Sequence, residues 1–302
     1  MSSPATCAIA LPENFRVGDV LAFHGRDTQA VAERIEGPRL QKGLLWHGRP
    51  ASLSIRFEGR RAAVELGGDS VTRADRKALE QMARRMLGLT QPVEAFERAF
   101  ALHPQLGPLI ARQSGMRVPL AATPFEALTW AITGQQISVA VAISMRRKLI
   151  RLCALQHSGG LACHPDAHTV AQLDEEALRG AGFSQAKART LLALSREVAA
   201  SRLPLETWLG ELPVEEVRES LLRLRGIGPW TVNYALLRGF GWLDGSLHGD
   251  VAVRRKLQRL LGASASMSEA DTQSWLVQFS PWRALVAAHL WALPAAAQAA
   301  SP

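Results

Sequence analysis

Apolar and polar positions follow two different periods along the chain. In the first hundred residues, runs 42–47, 52–57 and 61–66 partly alternate and are parted by Gly-Arg-Pro and Glu-Gly-Arg. A period of two with turn residues between the runs predicts an antiparallel sheet. Over 71–87 the apolar residues Leu79, Met82, Met86 and Leu87 fall at helical spacing instead. These patterns predict a small α+β domain over 1–112, an antiparallel sheet with helices. From Thr123 onward helical spacing takes over, so 113–302 is expected to be all-α.

Boundary residues divide this second part. Thr123-Pro124-Phe125-Glu126 supplies an N-cap, a proline at the first helical position and an acid two places later. That helix is expected to run to Ile132, to be interrupted by Gly134-Gln135-Gln136-Ile137-Ser138, and to resume over Val139–Cys153. The stretch from Leu178 to Ser184, followed by Lys187 and Arg189, reads as a helix–Gly–helix turn. A second such turn comes after an apolar run ending at Leu224: Gly226-Ile227-Gly228, with Pro229 opening the next helix. Glycines permit positive φ and close approach. Turn amides together with the first N–H groups of a helix form an anion site, and Arg223 and Arg225 flank it. By itself the triplet is also an ordinary helix C-cap and tight turn.

Chemistry enters on the C-terminal side of this turn. Trp230 and Tyr234 are spaced i, i+4 and share one helix face. Asp250 stands directly before the apolar-basic helix Val251–Leu261, where it serves either as an N-cap or as a carboxylate beside the aromatic wall. The two rings are equally compatible with core packing. Pro281-Trp282-Arg283 starts the last long helix, which carries His289 and Trp291.

Composition narrows the partners. The 302-residue chain is 47% hydrophobic and 21% charged, with a net charge of +8, which fits a soluble globular protein with an anionic partner. Between Arg223 and Arg259 seven Arg/Lys oppose two Asp, a net +5 over 37 residues, as a phosphate-contacting face requires. Three cysteines make no disulfide framework. The pattern Cys153-x3-His157-x5-Cys163-x4-His168 has zinc-binding residue types, but its spacing matches no common knuckle. Neither a signal peptide nor an apolar run of membrane-spanning length is evident. The expected location is the cytoplasm, at the nucleoid when bound to DNA.

The segment Leu224-Arg225-Gly226-Ile227-Gly228-Pro229-Trp230-Thr231-Val232-Asn233-Tyr234 with the later Asp250 resembles the helix-hairpin-helix DNA glycosylases, and among them the bacterial DNA-3-methyladenine glycosylase II group. The likeness of the N-terminal part lies in order and pattern, and no chemistry is read in it. The resemblance implies that alkylated bases are flipped from double-stranded DNA and excised by a monomeric enzyme. Asp250 would be the catalytic carboxylate, with Trp230, Tyr234, Gln135 and Trp291 against the base. Gln136 would wedge into the duplex, and Gly226, Gly228 and Thr231 would meet DNA. The carbonyls of Leu222, Leu224 and Gly226 would hold a monovalent cation at the hairpin. Bifunctional relatives carry a lysine where Trp230 stands, and Lys256 lies beyond Asp250, so no lyase activity is implied. No four-cysteine cluster lies beyond the catalytic region, so no iron–sulfur cofactor is implied either. Two other readings stay open: a non-catalytic helix-hairpin-helix DNA-binding protein, and a glycosylase for oxidised or mismatched bases.

Overall fold

The computed structural model describes residues 4–294. Strands β1 (Ala5–Ala10), β2 (Glu33–Glu36), β3 (Arg39–Trp46), β4 (Arg49–Glu58) and β5 (Arg61–Gly68) form one antiparallel sheet in the order β1-β5-β4-β3-β2. The expected hairpins are present: Trp46 pairs with Arg49 across His47-Gly48, both at positive φ, and Glu58 pairs with Arg61. Positive φ at both central residues matches the twist of a two-residue hairpin. The sequence pattern did not reveal β1, β2 or helix α1 (Val17–His24). Leu53, Ile55, Val64 and Leu66 on one sheet face bury against Leu79, Met82 and Met86 of α2 (Arg76–Met86).

The remainder is helical, as expected. Helices α3 (Val93–Phe100) and α4 (Leu106–Arg112) precede α5 (Pro124–Gly134), nine of whose eleven residues are buried. Thr123 caps α5 and accepts from the Glu126 N–H. Then come α6 (Val139–Cys153), α7 (Ala167–Ala171), α8 (Glu175–Gly180), α9 (Gln185–Ala199), α10 (Val214–Leu222), α11 (Pro229–Ala235), α12 (Val251–Leu261), α13 (Glu269–Leu276) and α14 (Arg283–Trp291). Two apolar cores share these helices. One joins α5 and α6 to α7–α11; the other joins α12–α14 to Tyr234 and Leu237 and also takes in Val93, Phe96, Leu106, Leu109 and Ile110. Residues 93–110, on the N-terminal side of the expected division at 112, thus pack with the C-terminal helices. Helix α11 is the wall between the cores, facing one with Val232 and the other with Tyr234, and Leu236 and Leu237 just beyond it divide in the same way.

A buried ion cluster fastens sheet to helices. Lys42 of β3, fully buried, donates to Glu33 at 2.8 Å and to Glu126 of α5 at 2.7 Å. Arg146 of α6 meets the same two carboxylates at 3.1 and 2.7 Å, and His24 Nδ1 lies 2.7 Å from Glu33. Burial alone would raise both carboxyl groups, but the adjoining Lys42 and Arg146 charges outweigh it and hold them below the usual range. The loop after α6 also docks on the sheet, with Ala162 N–H donating to the Val31 carbonyl and His164 N–H to that of Gly43.

Candidate active site

The hairpin between α10 and α11 is built from backbone upward. The Ile227 N–H closes the turn on the Leu224 carbonyl at 3.0 Å. Gly226 sits at φ +93°, and a Cβ there would collide with the Thr190 hydroxyl of α9. That hydroxyl lies 2.9 Å from the Arg225 carbonyl, so the hairpin is tethered to α9. Gly228 differs: its φ is −108°, a range open to any residue, and a Cβ would meet nothing within 4 Å. One glycine is required by the fold; the other faces open space.

The Gln135 amide nitrogen donates to the Gly226 carbonyl and to the Thr231 hydroxyl, both at 2.9 Å. Both of its N–H groups therefore serve the hairpin, although the resemblance puts Gln135 beside the base. Thr231, expected at the DNA, is only 2% exposed and takes part in the same bridge. Gln136 is exposed at φ +55° in the break between α5 and α6. A left-handed non-glycine residue is uncommon and carries backbone strain.

Asp250 is the point on which the aromatic residues converge. Its Oδ1 accepts from the N–H groups of Ala252 at 2.9 Å and Val253 at 3.0 Å, so it caps α12 as expected. Its Oδ2 accepts from the Trp230 indole N–H at 3.0 Å, and Oδ1 also accepts from that of Trp291 at 3.3 Å. The Tyr234 ring lies 5.3 Å from that of Trp230 and 6.1 Å from that of Trp291. Two tryptophans thus aim their only side-chain donors at one carboxylate while their rings meet a shared tyrosine.

The surrounding loop is held just as specifically. Asn233 of α11 donates to the Ser246 carbonyl at 2.7 Å and accepts from Arg218 at 2.9 Å. Asp244 takes a two-pronged Arg283 contact at 2.8 and 2.9 Å, tying this loop to the start of α14. At the other end of α14, Lys256 Nζ donates to the carbonyls of Trp291 at 2.6 Å and Leu293 at 2.5 Å. The Lys256 amine, whose pKa is lowered by burial and then by the Arg259 charge, anchors the Trp291 backbone. His289 of the same helix is buried and bonds to Gln113, with its pKa pushed down to about 3 by burial.

Behind Tyr234 a narrow cavity of about 40 Å³ lies between sheet domain and helices. Phe23, Arg26, Trp130, Tyr234 and Arg238 are among its walls. Arg26 lies over Phe23 at 4.2 Å and Trp130 at 4.7 Å, and Arg238 over Phe23 at 4.6 Å and Trp291 at 5.7 Å. Burial, with Arg26 nearby, lowers the Arg238 pKa to about 10. Sequence reasoning missed these arginines. Arg238 continues the i, i+4 series of Trp230 and Tyr234, a signal the sequence does carry; Arg26 comes from a distant helix end and has none. Among the described residues no group of three or more His, Cys, Asp or Glu could hold a metal, so Cys153, His157, Cys163 and His168 are not gathered. No helix of the described residues is long and apolar enough to cross a membrane.

Comparison with known proteins adds to this geometry. Residues 7–123 match the AlkA N-terminal domain, and 129–279 match the HhH-GPD superfamily base excision DNA repair protein model. The chain is 31% identical over 188 residues to DNA-3-methyladenine glycosylase 2 of Escherichia coli, a match spanning 62% of this chain and 63% of that protein's length. It is 23% identical over 291 residues to a DNA-3-methyladenine glycosylase of Bacillus subtilis, covering 94% of this chain and 95% of that one. Its fold is that of the 3-methyladenine DNA glycosylase of Archaeoglobus fulgidus, with a TM-score of 0.81 at 23% identity over 94% of this chain and 97% of the other. With its hairpin, its downstream aspartate and a match over half its length, the chain belongs to the HhH-GPD superfamily of base excision DNA repair proteins.

Proposed function

We propose that the protein is a monofunctional DNA glycosylase that flips alkylated purines out of duplex DNA and cleaves their N-glycosidic bond with water. The observation that carries this reading is the Asp250 carboxylate, held by the indole N–H groups of Trp230 and Trp291 beside the Tyr234 ring. A purine alkylated at N3 or N7 is cationic, leaves without protonation and is drawn to aromatic faces by about 0.5–2 kcal/mol per contact. Its departure leaves an oxocarbenium-like sugar. A carboxylate about 4 Å away stabilises that charge by about 4 kcal/mol at an effective dielectric of about 20, and Asp250 also orients or deprotonates the attacking water.

The hairpin supplies the hold on DNA. Open space at Gly228 and the first N–H groups of α11 suit a phosphate. Exposed Gln136 fills the gap left by the flipped base. A monovalent cation fits at the carbonyls of Leu222, Leu224 and Gly226. The Leu224 carbonyl accepts from Ile227 and the Gly226 carbonyl from Gln135, and a carbonyl oxygen has a second lone pair for an ion. Glycosidic hydrolysis asks for no cofactor. Trp230 offers no amine at the hairpin helix, and Lys256 is engaged with the carbonyls of Trp291 and Leu293, so no Schiff base with the sugar is expected. The enzyme acts as a monomer, in the cytoplasm.

Incubation with methylated duplex DNA and chromatography of the supernatant tests this reading. Free 3-methyladenine or 7-methylguanine should appear, and borohydride should trap no covalent adduct. DNA binding without base release would leave a binding protein only, and a trapped adduct would place it among the bifunctional enzymes.

A further inference from the structure

The charged groups around the cavity behind Tyr234 differ in how they are satisfied. Glu33 and Glu126 are neutralised by Arg146 and Lys42, and Asp27 is paired with Arg147 at 2.6 Å. Arg238 donates to the Pro119 carbonyl at 2.8 Å and lies against the Tyr234 hydroxyl, while its Nε is buried without an acceptor among the described residues. Arg26 has more donors to spare. Its Nε donates to the Phe23 carbonyl at 2.7 Å and its plane rests between Phe23 and Trp130, while its terminal nitrogens meet no acceptor among the described residues. The guanidinium is therefore fixed in place by one hydrogen bond and two rings, with donors left over.

We propose that Arg26, a residue of the sheet domain, is a specificity-determining residue that reads the edge of the flipped base. The inference rests on the glycosylase reading above. A base resting on Tyr234 presents its leading edge to this cavity, because Tyr234 belongs to both the aromatic site and the cavity wall. A guanidinium only donates, and its fork matches the O6 and N7 acceptors of a 6-oxopurine. It repels a base that is itself cationic. Arg26 thus favours neutral 6-oxopurines such as hypoxanthine, which in a mismatch is also cheaper to flip. It disfavours 3-methyladenine, which is cationic and bears an amino group where hypoxanthine has its carbonyl. The rings of Trp230 and Tyr234 pull toward cations and Arg26 toward acceptors, so one pocket admits both classes.

The test is single-turnover release of 3-methyladenine from methylated duplex and of hypoxanthine from an inosine-containing duplex, by the full chain and by R26Q and R26K. Hydrogen bonds to charged groups account for about ten- to hundredfold in such comparisons. R26Q should lower hypoxanthine release by about that factor while 3-methyladenine release rises. R26K keeps the charge but loses the fork, so hypoxanthine release should fall without a rise for 3-methyladenine; this arm carries the test should R26Q not fold. An unchanged ratio in both variants, or a wild type that releases 3-methyladenine and no hypoxanthine, overturns the role of Arg26. A wild type that releases neither base overturns the glycosylase reading itself.

Discussion

Two charged centres lie either side of the Tyr234 cavity and treat their charges in opposite ways. In the cluster of Lys42, Arg146, Glu33 and Glu126, each charge faces an opposite one and none reaches solvent appreciably. At Asp250, among the described residues, the carboxylate is met only by neutral donors, two backbone amides and two indoles, and it stays partly exposed. A closed set of charges holds elements together but has nothing left to offer a ligand. A carboxylate oriented by neutral donors keeps its full charge for a cation that arrives during a reaction. The contrast separates an ionic feature that builds the fold from one that is free to act.

Perturbations of the closed set should fall on stability. Lys42→Met leaves Glu33 and Glu126 short of a cation in a buried place, where breaking a pair costs about 3–5 kcal/mol. A large drop in melting temperature is expected, with excision per folded molecule unchanged in the cold. An unchanged melting temperature would mean that the cluster contributes nothing to holding sheet and helices together.

A smaller effect is expected at Lys256, which belongs to the open centre through Trp291. Lys256→Met frees the carbonyls of Trp291 and Leu293 and loosens the ring that orients Asp250. Excision should fall about tenfold, equivalent to ~1.4 kcal/mol of transition-state stabilisation, while thermal unfolding shifts by little. Equal losses of stability and rate would make Lys256 only a helix-end clamp.

The mildest perturbation is acid. Burial depresses the pKa of His164 to about 4 and that of His289 to about 3, while the same groups unfolded titrate near 6.5. The unfolded chain then binds more protons, so stability present above about pH 6.5 is lost as pH falls through the folded values. Glu33 and Glu126, held below the ordinary carboxylate range, add to the loss only under more acidic conditions. Calorimetry should show the melting temperature declining from about pH 6.5 toward about 4, with a shallower slope in His164→Asn. A flat profile over that range would contradict neutral burial of these histidines.

How far the sequence carried this picture depends on the kind of contact. Hairpins with turn residues and helices with caps were legible because their signals are local: Thr123-Pro124 does open α5, and Asp250 does cap α12. Strand β1 was hidden because Ala8 and Ala10 on its exposed face are themselves apolar, which blurs the alternation. Strand β2, with the sequence Glu-Arg-Ile-Glu, is four residues long, and its buried Glu33 answers to the ion cluster rather than to an apolar pattern. Of the two hairpin glycines only Gly226 needs its special backbone, a difference set by Thr190 far off in sequence. The bond of each indole to Asp250, the Gln135 bridge and the stacking of Arg26 on Trp130 are long-range contacts with no local trace. Most of the site's residues were readable; their partners were not.

The central claim is that the Asp250 charge serves chemistry beyond its capping role, and one substitution separates the two. Asparagine caps a helix about as well as aspartate, so in Asp250→Asn the Ala252 and Val253 bonds persist and melting should shift by little. Single-turnover release of 3-methyladenine from methylated duplex should fall by orders of magnitude while DNA binding persists, since the negative charge facing the developing sugar cation has been removed, along with the acceptor for the Trp230 indole. A variant that folds normally and excises at close to the wild-type rate would show Asp250 to be a cap and nothing more.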